Sequence, residues 1–357
     1  MAYRLKLKAH LALEVRRIAL EQIEIARNCL LHHDDPATAV HDARRSLKRL
    51  RAMLRLVRPA LGETWFKQGN QQLAGLGQRL ARTRDLDVMV LTLAKLENGA
   101  DGLPKGLAER LKQSITQARN TADQPRRLPA PDRNVGGALR RAEKLFSTER
   151  LRGVDIDHVA DGLRQCYRRA RHAFHEAYEC GSDEAFHEWR KSTQAHWRHM
   201  QLLGRSWPES IGARAGEAKE LSRLLGDDHD LSVLLAYARN AESAELSSHD
   251  LAALRAACLS SQRQIRDLAK PHGERLFVER PRQLTRRVLR YWKAAEHLSR
   301  LLPPDRETPA HPRARLAPGS NKPTRVAAKR GKAEKAQTLK KPASTATPRR
   351  GGKLLSG

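Results

Sequence analysis

Apolar residues recur at helical spacing along most of the chain. From Val40 to Arg58, VHDARRSLKRLRAMLRLVR, the residues Ala43, Leu47, Leu50, Leu54 and Val57 fall at i, i+4, i+7, i+11 and i+14. This stripe predicts a helix with one buried face, uninterrupted until Pro59. Phe186 to Leu203, FHEWRKSTQAHWRHMQLL, reads the same way. Further helices are predicted over 11–31, 64–80, 85–96 and 103–119, and Asp85 and Asp87 open the fourth, where acids suit the helix N-terminus. Residues 124–134, QPRRLPAPDRN, hold three prolines and no periodicity, and read as a linker. The series resumes over 136–146, 157–179, 184–204, 209–225, 229–239, 247–270 and 279–301. Few β-branched runs and 4% aromatics argue against a sheet. The expectation is an all-α fold of antiparallel bundles with short connections.

The polar positions carry a second pattern. At about 100° per residue, His41, Arg44, Lys48, Arg51 and Arg55 fall in an arc of roughly 80° beside the apolar stripe. Like charges at i,i+4 cost helix stability, so an anion is expected opposite them. The competing reading is a solvated face. A repeat strengthens the first. His41, Arg44, Arg45 and Ser46 align with His187, Arg190, Lys191 and Ser192 at an offset of 146. Leu80 to Val88 aligns with Leu225 to Val233, and the His-to-Asp separations, 44 to Asp85 and 43 to Asp230, agree closely. Two blocks in one order predict a duplicated unit, half-repeats of about 1–123 and 136–300 joined by a linker over 124–135, related by a pseudo-twofold.

Charge narrows the partners. The formal balance of +28 and a pI near 10.8 point to a polyanion: nucleic acid, an anionic membrane or another. Residues 302–357 are rich in Pro, Ala, Lys, Ser and Thr, with 14 Lys and Arg against 3 Asp and Glu. Such a segment is expected to stay disordered, a basic tail over 301–357 that adds nonspecific affinity for RNA or DNA. The remainder still carries +17. Cys29, Cys166, Cys180 and Cys258 form no CxxC and fit a reducing cytoplasm. No apolar run predicts a signal peptide or a membrane span, and no membrane partner is expected.

HDARRSLKRLR, RDLDV, HEWRK and LGDDHDL, in this order and duplicated, resemble the CHAD domain, the conserved-histidine α-helical domain. The resemblance covers roughly residues 1–300. It implies two similar helical bundles whose basic, histidine-bearing helices line a central cleft that binds inorganic polyphosphate, and for some members association with polyphosphate granules. Carried over by position, His41, Arg44, Arg45, Lys48, Arg49, Arg51 and Arg55 form the first-half ligand set, and His187, Arg190 and Lys191 begin the second. Arg164, Arg168 and Arg171 resemble the basic helix before that second motif. The second motif departs from the pattern with Gln194, Ala195 and Trp197, and Arg198 comes one place late, which implies a weaker grip there. The triphosphate-tunnel motif that accompanies many members is not found in this sequence.

Arginine suits such a ligand, since its planar fork donates two parallel hydrogen bonds to phosphate and keeps its charge. Histidine among arginines has its protonated form disfavoured until a polyanion arrives, so protonation of His41 and His187 is expected to couple to binding. Asp85 and Asp230 read as helix N-caps or as counterions that orient neighbouring arginines. His172 with His175, and His196 with His199, are i,i+3 pairs without a third ligand at clear spacing, so neither a metal nor another cofactor is expected. HExxH, GxSxG and GxxxxGK[ST] are missing, which favours a binding protein over an enzyme. The alternatives are a nucleic-acid-binding protein acting through its tail and a metal-dependent polyphosphate phosphohydrolase.

Overall fold

Thirteen helices and no strand make up the described residues of the computed structural model. These residues are 3–31, 35–80, 82–98, 103–104, 106–122, 133–240 and 246–301, and side chains at 36–37, 82–85, 121–122, 133–135 and 148 fall outside them. The first half holds α1 (Leu11–Leu31), α2 (Pro36–Leu56), α3 (Arg58–Leu61), α4 (Glu63–Arg79), α5 (Arg82–Glu97) and α6 (Leu107–Ala122). The second holds α7 (Arg133–Leu145), α8 (Thr148–Leu151), α9 (Ile156–Cys180), α10 (Asp183–Leu202), α11 (Pro208–Asn240), α12 (Ser248–Phe277) and α13 (Pro281–Leu301). Most of the proposed linker and all of the tail beyond residue 301 lie outside the described residues.

Local chemistry sets the ends of the second-half helices. The Asp155 carboxylate accepts from the His158 amide at the start of α9, and the Ser182 hydroxyl accepts from the Ala185 amide at the start of α10. Ser247 and Asp250 cap α12 reciprocally. At the end of α9, Gly181 takes φ 66°, and its amide donates to the Ala177 carbonyl.

Helix bounds repeat as the sequence blocks do. Shifted by 146, α2 falls on α10 and α1 falls on α9, while a shift of 145 carries α4 and α5 onto the single helix α11. Here the structure corrects the expected break: 209–225 and 229–239 are one uninterrupted 33-residue helix. Gly226-Asp227-Asp228 looks like a stop, but Asp228 is 2% exposed and accepts from Arg266 Nε at 2.7 Å, so α12 satisfies a group that would otherwise cap a helix.

The apolar residues gather in two clusters, and neither follows the boundary between halves. One joins α1, α2, α4, α7, α9, α10 and the first part of α11, with Leu50, Leu54, Tyr167 and Trp189 at its centre. The other joins α5 and α6 to the second part of α11 and the first part of α12, through Leu93, Leu111, Leu234 and Leu254. Because α2 packs on both α9 and α10, the two basic motifs are held side by side. The closest approach is at Gly162, where an added Cβ would sit 1.8 Å from the Leu56 carbonyl oxygen, so only glycine fits α9 against the end of α2.

Candidate functional site

The apolar stripe read from the sequence is buried: Ala43, Leu47, Leu50, Leu54 and Val57 all lie in the larger core. Burying that face commits the next face of α2 to the junction with α10. His199, fully buried on α10, fixes the junction: its Nε2 donates to the Ala52 carbonyl of α2 at 2.8 Å. Burial pushes the His199 imidazole down to about 4, so it is neutral at ordinary pH.

Around this crossing the arginines accumulate, and Glu188 and Asp42 act on Arg55 and Arg49 only from a distance. Arg49 donates to Gln22 Oε1 at 3.1 Å and lies over the Tyr3 ring, while Arg51 donates to Asn70 Oδ1 at 3.1 Å. Burial lowers both guanidinium pKa values, that of Arg49 with help from Arg45. Arg55 is held down to about 10, by burial first and then by Arg51. Arg198, 6% exposed, is also held down to about 10, by burial and by repulsion from Arg49, Arg55 and Arg190. Its partners are the Gln194 carbonyl at 2.8 Å and the Trp197 ring. None of Arg49, Arg51, Arg55 and Arg198 forms an ion pair with a carboxylate among the described residues. A buried guanidinium normally has such a partner, because its desolvation is otherwise uncompensated. The late Arg198 of the second motif is thus central to the cluster.

The other predicted residues sit at several distances from this centre. His41 and Arg45 are exposed on α2, where Arg45 meets Asp42 at 3.6 Å, and Lys48 is half-buried. Arg44 reaches across to the Gly77 carbonyl of α4 at 3.3 Å. Lys191 pairs with Glu188, which also holds Arg169 at 3.2 Å. Arg164 pairs with Asp161 at 3.0 Å, and Arg168 is exposed. Arg171 also serves the fold: its Nε donates to the Phe277 carbonyl at 3.0 Å at the end of α12. Arg169, next along α9, is the residue whose charge reaches Arg55. Asp230 lies deep inside α11 and is not an N-cap, which corrects that half of its reading and leaves the orienting counterion. Asp85 is the fourth residue of α5, and its side chain lies outside the described residues.

His187 has a partner the sequence did not reveal. Its Nδ1 faces Nδ1 of His229 on α11 at 3.1 Å, with ring centroids 4.2 Å apart. One nitrogen carries the hydrogen and the other accepts it, so the neutral pair shares a single bond. Burial, with Lys191 and Arg190, lowers the His187 pKa; burial, Arg190 and His187 push His229 down to about 4. His229 stands in LGDDHDL, but the repeat aligns it with Arg84, so repetition could not mark it.

Among the described residues no group of three or more His, Cys, Asp or Glu side chains converges as a metal site. His196 and His199 have separate tasks: His196 Nε2 accepts from Arg214 Nε at 3.1 Å, while His199 bonds α2. No described helix is long and apolar enough to cross a membrane.

Comparison with known proteins places this arrangement. The CHAD domain family matches residues 15–239, a span that contains both basic helices and the His187–His229 pair. The crystal structure of the CHAD domain from the plant Ricinus communis is similar in fold, with a TM-score of 0.60 and 17% sequence identity over 77% of this chain and 95% of that one. A search of curated proteins gave no match. The family match covers well over half of the sequence and both copies of its motif, and the chain belongs to the CHAD domain family.

Proposed function

We propose that the protein binds inorganic polyphosphate at the crossing of α2 and α10, and that it acts by binding rather than by catalysis. The observation that carries this reading is the cluster of Arg49, Arg51, Arg55 and Arg198, none ion-paired to a carboxylate among the described residues, whose two most perturbed members are held near 10 by burial first and by neighbouring arginines. A polyanion threaded along it would supply the missing countercharge and take bidentate bonds from each fork. The link between the CHAD family and polyphosphate, and the basic helices duplicated at an offset of 146, support the same ligand. His41, Arg44, Arg45, Lys48, Arg190, Lys191 and Arg169 would extend the path outward, with His187 and His229 at its edge. Residues 1–300 form the binding unit in this reading, with the basic tail as an accessory. The protein would work in the cytoplasm, with polyphosphate granules as one setting.

The test is competition between long polyphosphate, duplex DNA and RNA for the full-length protein across a salt series, with Arg55→Gln/Arg198→Gln beside it. Polyphosphate is expected to win at physiological salt, and the double variant to weaken it while lowering the salt slope. Repeating the titration from pH 8 to 5.5 should show affinity rising as the histidines charge against the ligand. Equal competition by all three polyanions, with the variant indistinguishable from its parent, would sink the proposal.

A further inference from the structure

A second stripe of charge lies away from the α2–α10 crossing. Helix α13 carries six Arg and Lys residues and one acid, Glu296. Arg282, Arg286, Arg290 and Lys293 fall within an arc of about 80° and span roughly 16 Å along the axis. They lie opposite the buried Leu284, Val288 and Trp292, and all four are exposed. None of the four makes an ion pair or hydrogen bond with a described residue. Some arginines elsewhere on this surface are matched, as Arg223 is by Glu220 and Asp227, whereas others, such as Arg168 and Arg263, stand exposed singly rather than in a row. On α13 itself, Arg287 on the neighbouring face pairs with Glu279 at 2.6 Å. The outer stripe is left as successive like charges at i,i+4, which cost the helix stability unless an anion covers them.

An independent feature borders the stripe. Trp207, in the turn between α10 and α11, is 46% exposed and meets Tyr291 of α13 edge-on, with ring centroids 4.7 Å apart. Tyr291 lies one position, about 100°, round from Arg290. Tyr291 is itself half-buried, with Arg287 over its ring, so it props the exposed Trp207 indole. Cations that can follow a backbone, beside an exposed aromatic ring that can take a base, are the two components of single-strand recognition.

We propose that α13 and Trp207 form a binding face for single-stranded nucleic acid, with Arg282, Arg286, Arg290 and Lys293 on the phosphates and Trp207, braced by Tyr291, stacked on a base. Polyphosphate has no base to occupy the ring, and a duplex keeps its bases stacked within itself. A membrane surface fits less well, because the apolar face of α13 is already packed on α9 and the cations form its outermost line. The face shares no residue with the polyphosphate cluster, so each stands or falls alone.

The experiment uses full-length protein, a labelled 12-nucleotide RNA, an abasic strand of equal length, anionic phospholipid vesicles and long polyphosphate. Trp207→Ala should weaken RNA binding about fivefold, the lower end for one stacked base, and leave the abasic strand and polyphosphate unaffected. Trp207→Phe should recover most of the loss. Arg286→Gln/Arg290→Gln should reduce the slope of log affinity against log salt by about 1.4, two single-strand phosphate contacts. RNA binding equal to the parent in both variants overturns the proposal. So does an equal loss for RNA and abasic strand in Trp207→Ala, or a loss confined to the vesicles.

Discussion

Replacing Arg198 with methionine removes the most buried guanidinium of the cluster while keeping an unbranched side chain of similar reach. In the folded protein that guanidinium is held at about 10, against 12.5 when free. A base whose pKa is depressed by folding opposes folding wherever it is charged, so the cost is fully present below pH 10 and fades only as pH rises towards 12.5. The shift amounts to about 3 kcal/mol. Against this, methionine forfeits the bond to the Gln194 carbonyl and the contact with Trp197, about 1 kcal/mol each. The variant is therefore expected to be more stable by about 1 kcal/mol, which raises Tm by roughly 2–4 °C. Polyphosphate at about 100 times its Kd stabilises the parent by about 2.7 kcal/mol. A tenfold weaker variant gains about 1.4 kcal/mol at the same concentration, and its advantage closes. Thermal melts with and without polyphosphate check both halves. A variant that melts below its parent in the absence of ligand, or that is stabilised equally by ligand, refutes the reasoning.

Two further predictions concern the scaffold. His199, neutral when folded with its pKa near 4, takes up a proton more readily when unfolded, so stability present above about pH 6.5 is lost as pH falls towards 4. Its share at pH 5 is about 2 kcal/mol, and His199→Gln, which keeps an N–H for the Ala52 carbonyl, should shrink the pH 7 to pH 5 drop in unfolding free energy from urea titrations by that amount; an unchanged drop would exclude the assignment. Gly162→Ala should cost about 3 kcal/mol or more, because its new methyl group meets backbone rather than a movable side chain. A melt within a degree of the parent would show that α2 and α9 are not in such close contact.

The two basic helices were legible because their signals are local. A stripe at i, i+4 and i+7 needs no knowledge of its partner, and the second copy of His-x-x-Arg repeats the first. The fusion of α11 was not legible. Gly226-Asp227-Asp228 carries the composition of a stop, and only Arg266, 38 residues further on, removes the reason for stopping. His229 was hidden for a similar cause, since its meaning lies in facing His187 across 42 residues. The reading of Arg198 as a weakness followed from counting positions along one motif. Its importance lies in the arginines of α2 that surround it, which no spacing within α10 could express. Arg171 shows the converse: it shares the spacing of a ligand row but serves the end of α12.

The unbroken run of α11 makes it a drive shaft between the two cores. Leu221, Leu224 and Leu225 engage the larger, and Leu231, Leu234 and Leu235 engage the smaller. One residue inserted between Leu225 and Leu231 would turn everything beyond it by about 100° and advance it by roughly 1.5 Å. The second set of leucines would leave its seat, and His229 would swing away from His187. The corresponding place in the first half, where α4 ends at Arg79 and α5 starts at Arg82, is a joint and carries no such phase. Insertions and deletions that the first half absorbs at its joint would, in the second, put the two cores out of step and misalign the histidine pair with them.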